Sequence, residues 1–284
     1  MYTKKDRINY SNLNKRIKGN NMTISLIITT YNWKEALKLS LESVKNQVLL
    51  PNEIIIADDG SRDDTKELIE DFKKNNPNLN IIHSWQEDDG YKLSQSRNRA
   101  IARASSEYII VIDGDMILHK DFVKDHRDFA KKGVFTQGGR VILNEEKTKK
   151  IFSGKKISFS AFQKGIKNRK NSIRFIPFTK IFCKKNRKTK GIRGCNMSFF
   201  KEECIKVNGF NEDFVGWGRE DSEFVERFYN NGFLRQNLKF AGIAYHIYHN
   251  ENSRKMLEIN DEILKNTIEK KLKTCKNGID KYLN

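Results

Sequence analysis

The 284-residue chain has few cysteines, and none of the four is spaced to act as a pair. Cys183, Cys195, Cys204 and Cys275 form no C-x-x-C element and no zinc-type pattern with histidines, which excludes a dithiol redox motif and a zinc finger. Reduced thiols in a reducing compartment are expected. Long apolar runs are also missing. No stretch approaches the roughly 20 residues that span a bilayer, and Lys4, Lys5 and Arg7 are not followed by the apolar core of a secretory signal. The expectation is a cytoplasmic protein that touches a membrane only peripherally, at its inner face. Acidic residues are outnumbered, 36 against 54 Lys and Arg, which leaves a formal charge of +18. Such a field attracts polyanions: nucleic acid, anionic lipid head groups or acidic glycans. A coding bias toward Lys, Asn and Ile would give the same balance with no binding surface behind it.

The residues present are those of a folded α/β chain. Apolar residues make up 37% and aromatics 11%, low but sufficient for a core with a very polar surface. Residues 1–21 read as a basic, Asn-rich leader. A β-branched run from Thr23 to Thr30 is followed by Ala36, Leu37, Leu41 and Val44 at helical spacing. The unit repeats as Glu53 to Ala57 and then a helical pattern with Leu68, Ile69 and Phe72. Ile81 and Ile82 give a third strand, residues 94–104 a helix, and Tyr108 to Ile112 a fourth strand. Strands alternating with helices predict a mainly parallel, Rossmann-like sheet flanked by helices, with ligands at the carboxyl ends of its strands. Residues 145–193 carry lysines, arginines and phenylalanines and read as a long, partly mobile basic insertion. Met256, Ile259, Ile263, Leu264, Ile268 and Leu272 predict an amphipathic helix in the tail, residues 251–284, packed on the main domain.

Candidate chemistry sits where strands end. Asp113 and Asp115 flank Gly114 directly after the fourth strand, so two carboxylates can converge there and hold Mn²⁺ or Mg²⁺ against a phosphate. An Asp-rich turn would leave the same letters. Asp58 and Asp59 close the second strand, where a carboxylate can accept hydrogen bonds from a base or ribose. Arg97 lies on the helix before the fourth strand and could reach a diphosphate or orient the Asp pair. Arg99 is read as part of a solvated helix face. In FVGWGREDSEF, residues 214–224, Gly216 and Gly218 flank Trp217, whose indole offers a flat face to a sugar ring. Glu220 and Asp221 follow, and adjacent acids can divide the tasks of holding a hydroxyl and removing its proton. His246 and His249 follow a further apolar run, and a borderline divalent ion tolerates an imidazole beside carboxylates.

The elements SLIITTYN, DDGS, SRNRA, Asp113-Gly114-Asp115 and WGRED together resemble the family 2 glycosyltransferases of GT-A fold. The later half resembles the galactosyltransferase-type region of chondroitin-polymerase-like and β-1,4-galactosyltransferase-like enzymes. The resemblance covers roughly residues 22–250, with 22–120 as the nucleotide-sugar half and 194–250 as the acceptor half. It implies a UDP-sugar donor at Thr30, Tyr31, Asp58, Asp59, Arg97, Asn98 and Asp113. It implies a Mn²⁺ (or Mg²⁺) site at Asp113, Asp115 and a histidine, for which His246 is chosen over His249. Asp221 would be the base, and Glu220, Trp217 and Asn196 would bind a glycan or lipid-linked glycan acceptor in the synthesis of a bacterial surface polysaccharide. Arg219 departs from the family pattern and points to an anionic acceptor. Two other readings stand beside this one. A nucleic-acid-binding protein would explain the basic insertion but not the strand-end acids, and nucleic acid is not the expected partner. A nucleotidyltransferase of related fold would not explain WGRED.

Overall fold

Strands buried on both faces form the centre of the molecule. In the computed structural model, which describes residues 22–154, 159, 163–250 and 253–283, every residue of β1 (Ile24–Thr30) and β2 (Glu53–Asp58) is buried. With β3 (Ile81–Trp85) and β4 (Tyr108–Asp113) they make a parallel unit in the order β3-β2-β1-β4. The connecting helices are α1 (Lys34–Lys45), α2 (Asp63–Asn75) and α3 (Leu93–Arg103). Side chains alternate across a strand, so Leu26 and Ile28 enter one core with Leu37, Leu41 and Ile69. Ile27 enters the other with Ala100 and Ile101. A two-sided core of this kind accounts for continuous β-branched runs where a half-exposed strand would alternate.

The chain winds from β1 outward to β3 and then returns to place β4 on the other side of β1. That reversal opens a crevice at the carboxyl ends of β1 and β4. Next come β5 (Met116–Leu118), α4 (Phe122–Asp128), β6 (Val134–Gln137), β7 (Gly139–Leu143) and α5 (Glu145–Phe152). They are followed by β8 (Ile166–Lys167), α6 (Ile176–Phe182), β9 (Lys185–Asn186), β10 (Asn196–Phe200), α7 (Lys201–Lys206) and α8 (Glu220–Asn230). The chain closes through β11 (Leu234–Asn237), β12 (Ile243–His246) and α9 (Leu257–Glu269). The main sheet continues from β4 through β10, β6, β11 and β9, and β5, β12, β7 and β8 form a smaller second sheet.

Two sequence expectations are corrected here. The composition of 145–193 predicts a partly mobile insertion, yet its described part contributes β8 to the second sheet and β9 to the edge of the first. Strand pairing, invisible in its composition, ties it down. Lys155, Lys156 and Phe162, like the leader 1–21, lie outside the described residues. The tail does form a helix, but Ile259 and Ile268 are 53% and 48% exposed, while Asn260 and Thr267 are buried. The helix packs on the domain as expected, but its most buried contacts are polar: the Asn260 amide donates to the carbonyls of Val215 (3.3 Å) and Gly218 (3.0 Å), and the Thr267 hydroxyl to Glu223 (3.1 Å).

Candidate functional site

The crevice holds a cavity of about 370 Å³ lined by Thr30, Tyr31, Trp33, Asp59, Tyr91 and Asp115, among others. Register fixes its floor, since Thr29 pairs with Asp113 across β1 and β4. Gly114 follows, and a side chain there would meet the carbonyl of Thr29 at 2.5 Å. Only glycine lets the chain turn this closely against β1. Asp59 faces the cavity and is oriented by Gln86 Nε2 (2.6 Å) and the backbone N–H of Lys92 (2.9 Å). Burial pushes its pKa up to about 6. Tyr31 is half exposed and donates to Asp88 at 3.0 Å.

Three of the expected donor residues lie elsewhere: Arg97 lines a second, adjoining cavity, and Asp58 and Asn98 line neither. The Asp58 carboxylate is buried, accepts the N–H of Ser61 (2.8 Å) and sits 2.8 Å from His83 Nε2. It shapes the DDGS turn from behind and does not line the cavity. Asn98 is wholly buried on α3, donating to the carbonyl of Phe210 (2.7 Å) and to Glu212 (2.8 Å) and accepting the N–H of Phe210 (2.8 Å). With its amide saturated by the loop before WGRED, it is a structural tie and has no group left for a donor.

Asp115, His246 and His249 bring one carboxylate oxygen and two imidazole nitrogens together within 4.8 Å of one another. Both Nε2 atoms stand 3.2 Å from Asp115 Oδ2 and 3.3 Å from each other. β12 ends at His246, and the chain bends back so that His249 returns to the same point. The choice between the two histidines is therefore corrected: both belong to the cluster. Asp113 does not. Its Oδ1 lies 3.3 Å from the Thr29 hydroxyl and 3.4 Å from the Arg97 guanidinium. The cluster fits a divalent cation on its own evidence, because Asp115 Oδ2 and both Nε2 atoms turn lone pairs toward one point, and the second oxygen of the same carboxylate, Oδ1, is buried without a hydrogen-bond partner among the described residues. Two nitrogens and one oxygen suit a borderline ion such as Mn²⁺ better than the harder Mg²⁺.

A second cavity of about 510 Å³ adjoins the first, sharing Tyr91, Leu93, Asp113 and His249 with it. Its wall carries Glu220 and Asp221, in the first turn of α8. Arg97, buried, reaches Asp221 at 2.9 Å, Asp113 at 3.4 Å and Glu220 at 3.5 Å. One cation thus offsets three carboxylates, and Asp221 in particular is held in place. Its other oxygen accepts the N–H of Gly194 at 2.5 Å. A side chain at Gly194 would come within 2.3 Å of the Asp221 carboxylate, so this approach requires glycine. Burial, reinforced by the charge of Asp221, lifts the pKa of Glu220 to about 7. Trp217 lines the same cavity, 40% exposed.

Asn196 does not reach this wall. It is fully buried, donates to the carbonyls of Gly139 (3.0 Å) and Gly242 (2.9 Å) and pairs with His126 Nε2 (3.0 Å). The expected acceptor contact is corrected to a joint between the two sheets. Arg219 lines the cavity but is ion-paired with Asp261 on α9, so its charge is already answered within the chain. Sequence reasoning missed Tyr91, Trp33, Arg140 and Arg193, all cavity-lining. Only Tyr91 left a signal, as a lone aromatic in the acidic, glycine-containing turn EDDGYK.

Comparison with known proteins agrees with this geometry. A family model described as Glycosyl transferase family 2 matches residues 25–203, and one described as N-terminal domain of galactosyltransferase matches residues 179–250. The chain is 26% identical over 251 residues to a chondroitin synthase of Escherichia coli, covering 78% of this chain and 34% of the synthase. It is 27% identical over 267 residues to a hyaluronan synthase of Pasteurella multocida, covering 86% and 26% respectively. It therefore spans only about a third or less of the length of these relatives. Among solved structures, GalNAc-T7 with UDP, GalNAc and Mn²⁺ aligns with TM-score 0.60 at 16% identity, over 82% of this chain and 45% of that one. TarS 1-349 of S. aureus in complex with UDP aligns with TM-score 0.57 at 18% identity, over 86% and 64%. These likenesses show the fold, GT-A.

Proposed function

The chain belongs to glycosyl transferase family 2, and from that premise we propose that it moves a hexose or N-acetylhexosamine from a UDP-sugar to a hydroxyl of a growing glycan, with inversion at the anomeric carbon. The observation that carries the reading is the meeting of two differently equipped cavities at the sheet's reversal point. One has a polar strand-end floor beside Asp115, His246 and His249, and the other has the Glu220 and Asp221 wall. The complexes of GalNAc-T7 and TarS with UDP support a uridine nucleotide in the first.

In this mechanism the nucleotide lies over Thr30, Tyr31 and Asp59, with its diphosphate toward Asp115. Asp115, His246 and His249 would hold Mn²⁺, which would supply positive charge against the charge that develops on the leaving diphosphate. The acceptor sugar stacks on Trp217, and Glu220 holds its hydroxyls. Each Asp221 oxygen uses one lone pair on Arg97 or Gly194 and keeps another for the cavity. Asp221 takes the proton of the attacking hydroxyl, whose oxygen bonds to the anomeric carbon as the bond from that carbon to UDP breaks.

General-base help is worth about 10²–10⁴-fold in rate. Asp221→Asn keeps the shape and removes the proton acceptor, so kcat should fall by that order while UDP affinity in Mn²⁺ is kept. A panel of UDP-sugars with oligosaccharide acceptors, scored for UDP release, identifies the substrates. A variant that retains most of its turnover, or UDP binding that is equal in excess chelator, overturns the assignment of base or metal respectively.

A further inference from the structure

Outside the lining of the paired cavities, α6 and its approach present an apolar plateau to solvent. Phe175, Phe178, Ile181 and Phe182 are 46%, 46%, 59% and 47% exposed. They do not belong to a loose loop. Arg174 grips Asp125 of α4 through two bonds (2.7 and 3.0 Å), and the Phe175 N–H donates to the carbonyl of Phe240 at 3.0 Å. The rings hold one another edge to face: Phe175 and Phe178 at 4.7 Å, Phe178 and Phe240 at 5.7 Å. Lys180 lies within the helix, Lys184 and Lys185 follow it, and Lys239 precedes Phe240. None of these four lysines forms an ion pair among the described residues. From Lys147 to Lys201 the sequence contains no acidic residue at all.

A contiguous aromatic patch rimmed by cations of one sign needs a partner that is apolar within and anionic at its surface. We propose that this plateau docks on an anionic lipid bilayer, with Phe178, Ile181 and Phe182 entering the head-group layer and Lys180, Lys184, Lys185 and Lys239 meeting lipid phosphates. A second copy of the chain fits poorly, because a two-fold contact would set these lysines against themselves. Single-stranded nucleic acid fits poorly as well. It stacks its bases on open, parallel ring faces, and these rings stand edge to face with one another. No described helix is long and apolar enough to cross a bilayer, so the contact is superficial. No residue of the plateau lines either cavity, which makes the inference independent of the proposed reaction.

The test is co-sedimentation of the full chain with vesicles of phosphatidylcholine alone and of phosphatidylcholine with phosphatidylglycerol. Binding should be confined to the anionic vesicles and weaken as salt rises, since exposed charges are screened over about 8 Å at physiological ionic strength. Phe178→Ser with Ile181→Ser, and separately Lys180→Glu with Lys184→Glu, should each lower the vesicle affinity by about tenfold or more. The second pair leaves every apolar contact intact, so an unchanged melting temperature separates lost docking from lost folding. Equal binding to both vesicle types, no vesicle binding by the parent chain, or variants that bind as the parent does would overturn the proposal. So would a plateau-dependent dimer, or plateau-dependent oligonucleotide binding, found in place of vesicle binding.

Discussion

At the scale of single residues, the molecule buries polar groups in two ways that look identical as letters. Asn98 and Asn196 are satisfied internally, whereas Asp115, His246 and His249 converge on one point and leave Asp115 Oδ1 buried without a partner among the described residues. Nothing in the sequence separates a saturated polar side chain from one that waits for a ligand, which is why Asn98, Asn196 and Asp58 read as substrate contacts and are instead ties within the fold. Glu203 on α7 is a third kind. One of its oxygens accepts the N–H of Gly133 at 2.5 Å, the other is buried without a hydrogen-bond partner, and burial pushes its pKa up to about 7. An unfolded glutamate titrates near 4.3. Between these values the folded state keeps a proton that the unfolded state has lost, so stability falls as pH rises through that window, and the loss is complete above it. Glu203→Gln keeps the acceptor for Gly133 and removes the charge. Thermal unfolding should show little change at pH 5 and a gain on the order of 2–3 kcal/mol at pH 8. Equal effects at the two pH values would show that Glu203 does not titrate in this window.

Among the elements, the early strands were the easiest to read, because burial on both faces demands an unbroken β-branched run. The tail was harder. Its apolar spacing predicted a helix, and a helix forms, but the face it turns inward is set by what α8 and the WGRED loop offer, which is mainly carbonyls and the Glu223–Arg227 pair. Both family matches end before this helix begins. Asn260 nevertheless fastens the loop that presents Trp217, through Val215 and Gly218. Each such bond is worth about 1 kcal/mol. Asn260→Ala should therefore raise the acceptor KM by about tenfold with UDP affinity unchanged, as steady-state kinetics and UDP titration would show. An unaltered acceptor KM would mean that the loop holds its shape without the tail.

Over the whole molecule, the order of the sheet decides where chemistry can occur, and that much followed from strand–helix alternation alone. What alternation could not supply is how the two cavities are joined. Tyr91 lines both, and its carbonyl accepts the N–H of Gly216 at 3.2 Å, which ties the turn before α3 to the loop that carries Trp217. The consequence is thermodynamic. A nucleotide that steadies Tyr91 also steadies the loop beneath the acceptor, so the acceptor should bind more tightly to the UDP-loaded protein than to the free one. Linkage then requires the acceptor to tighten UDP by the same factor. Calorimetric titration around the closed cycle measures both legs. Identical acceptor Kd values with and without UDP would show that the two cavities take their substrates as strangers.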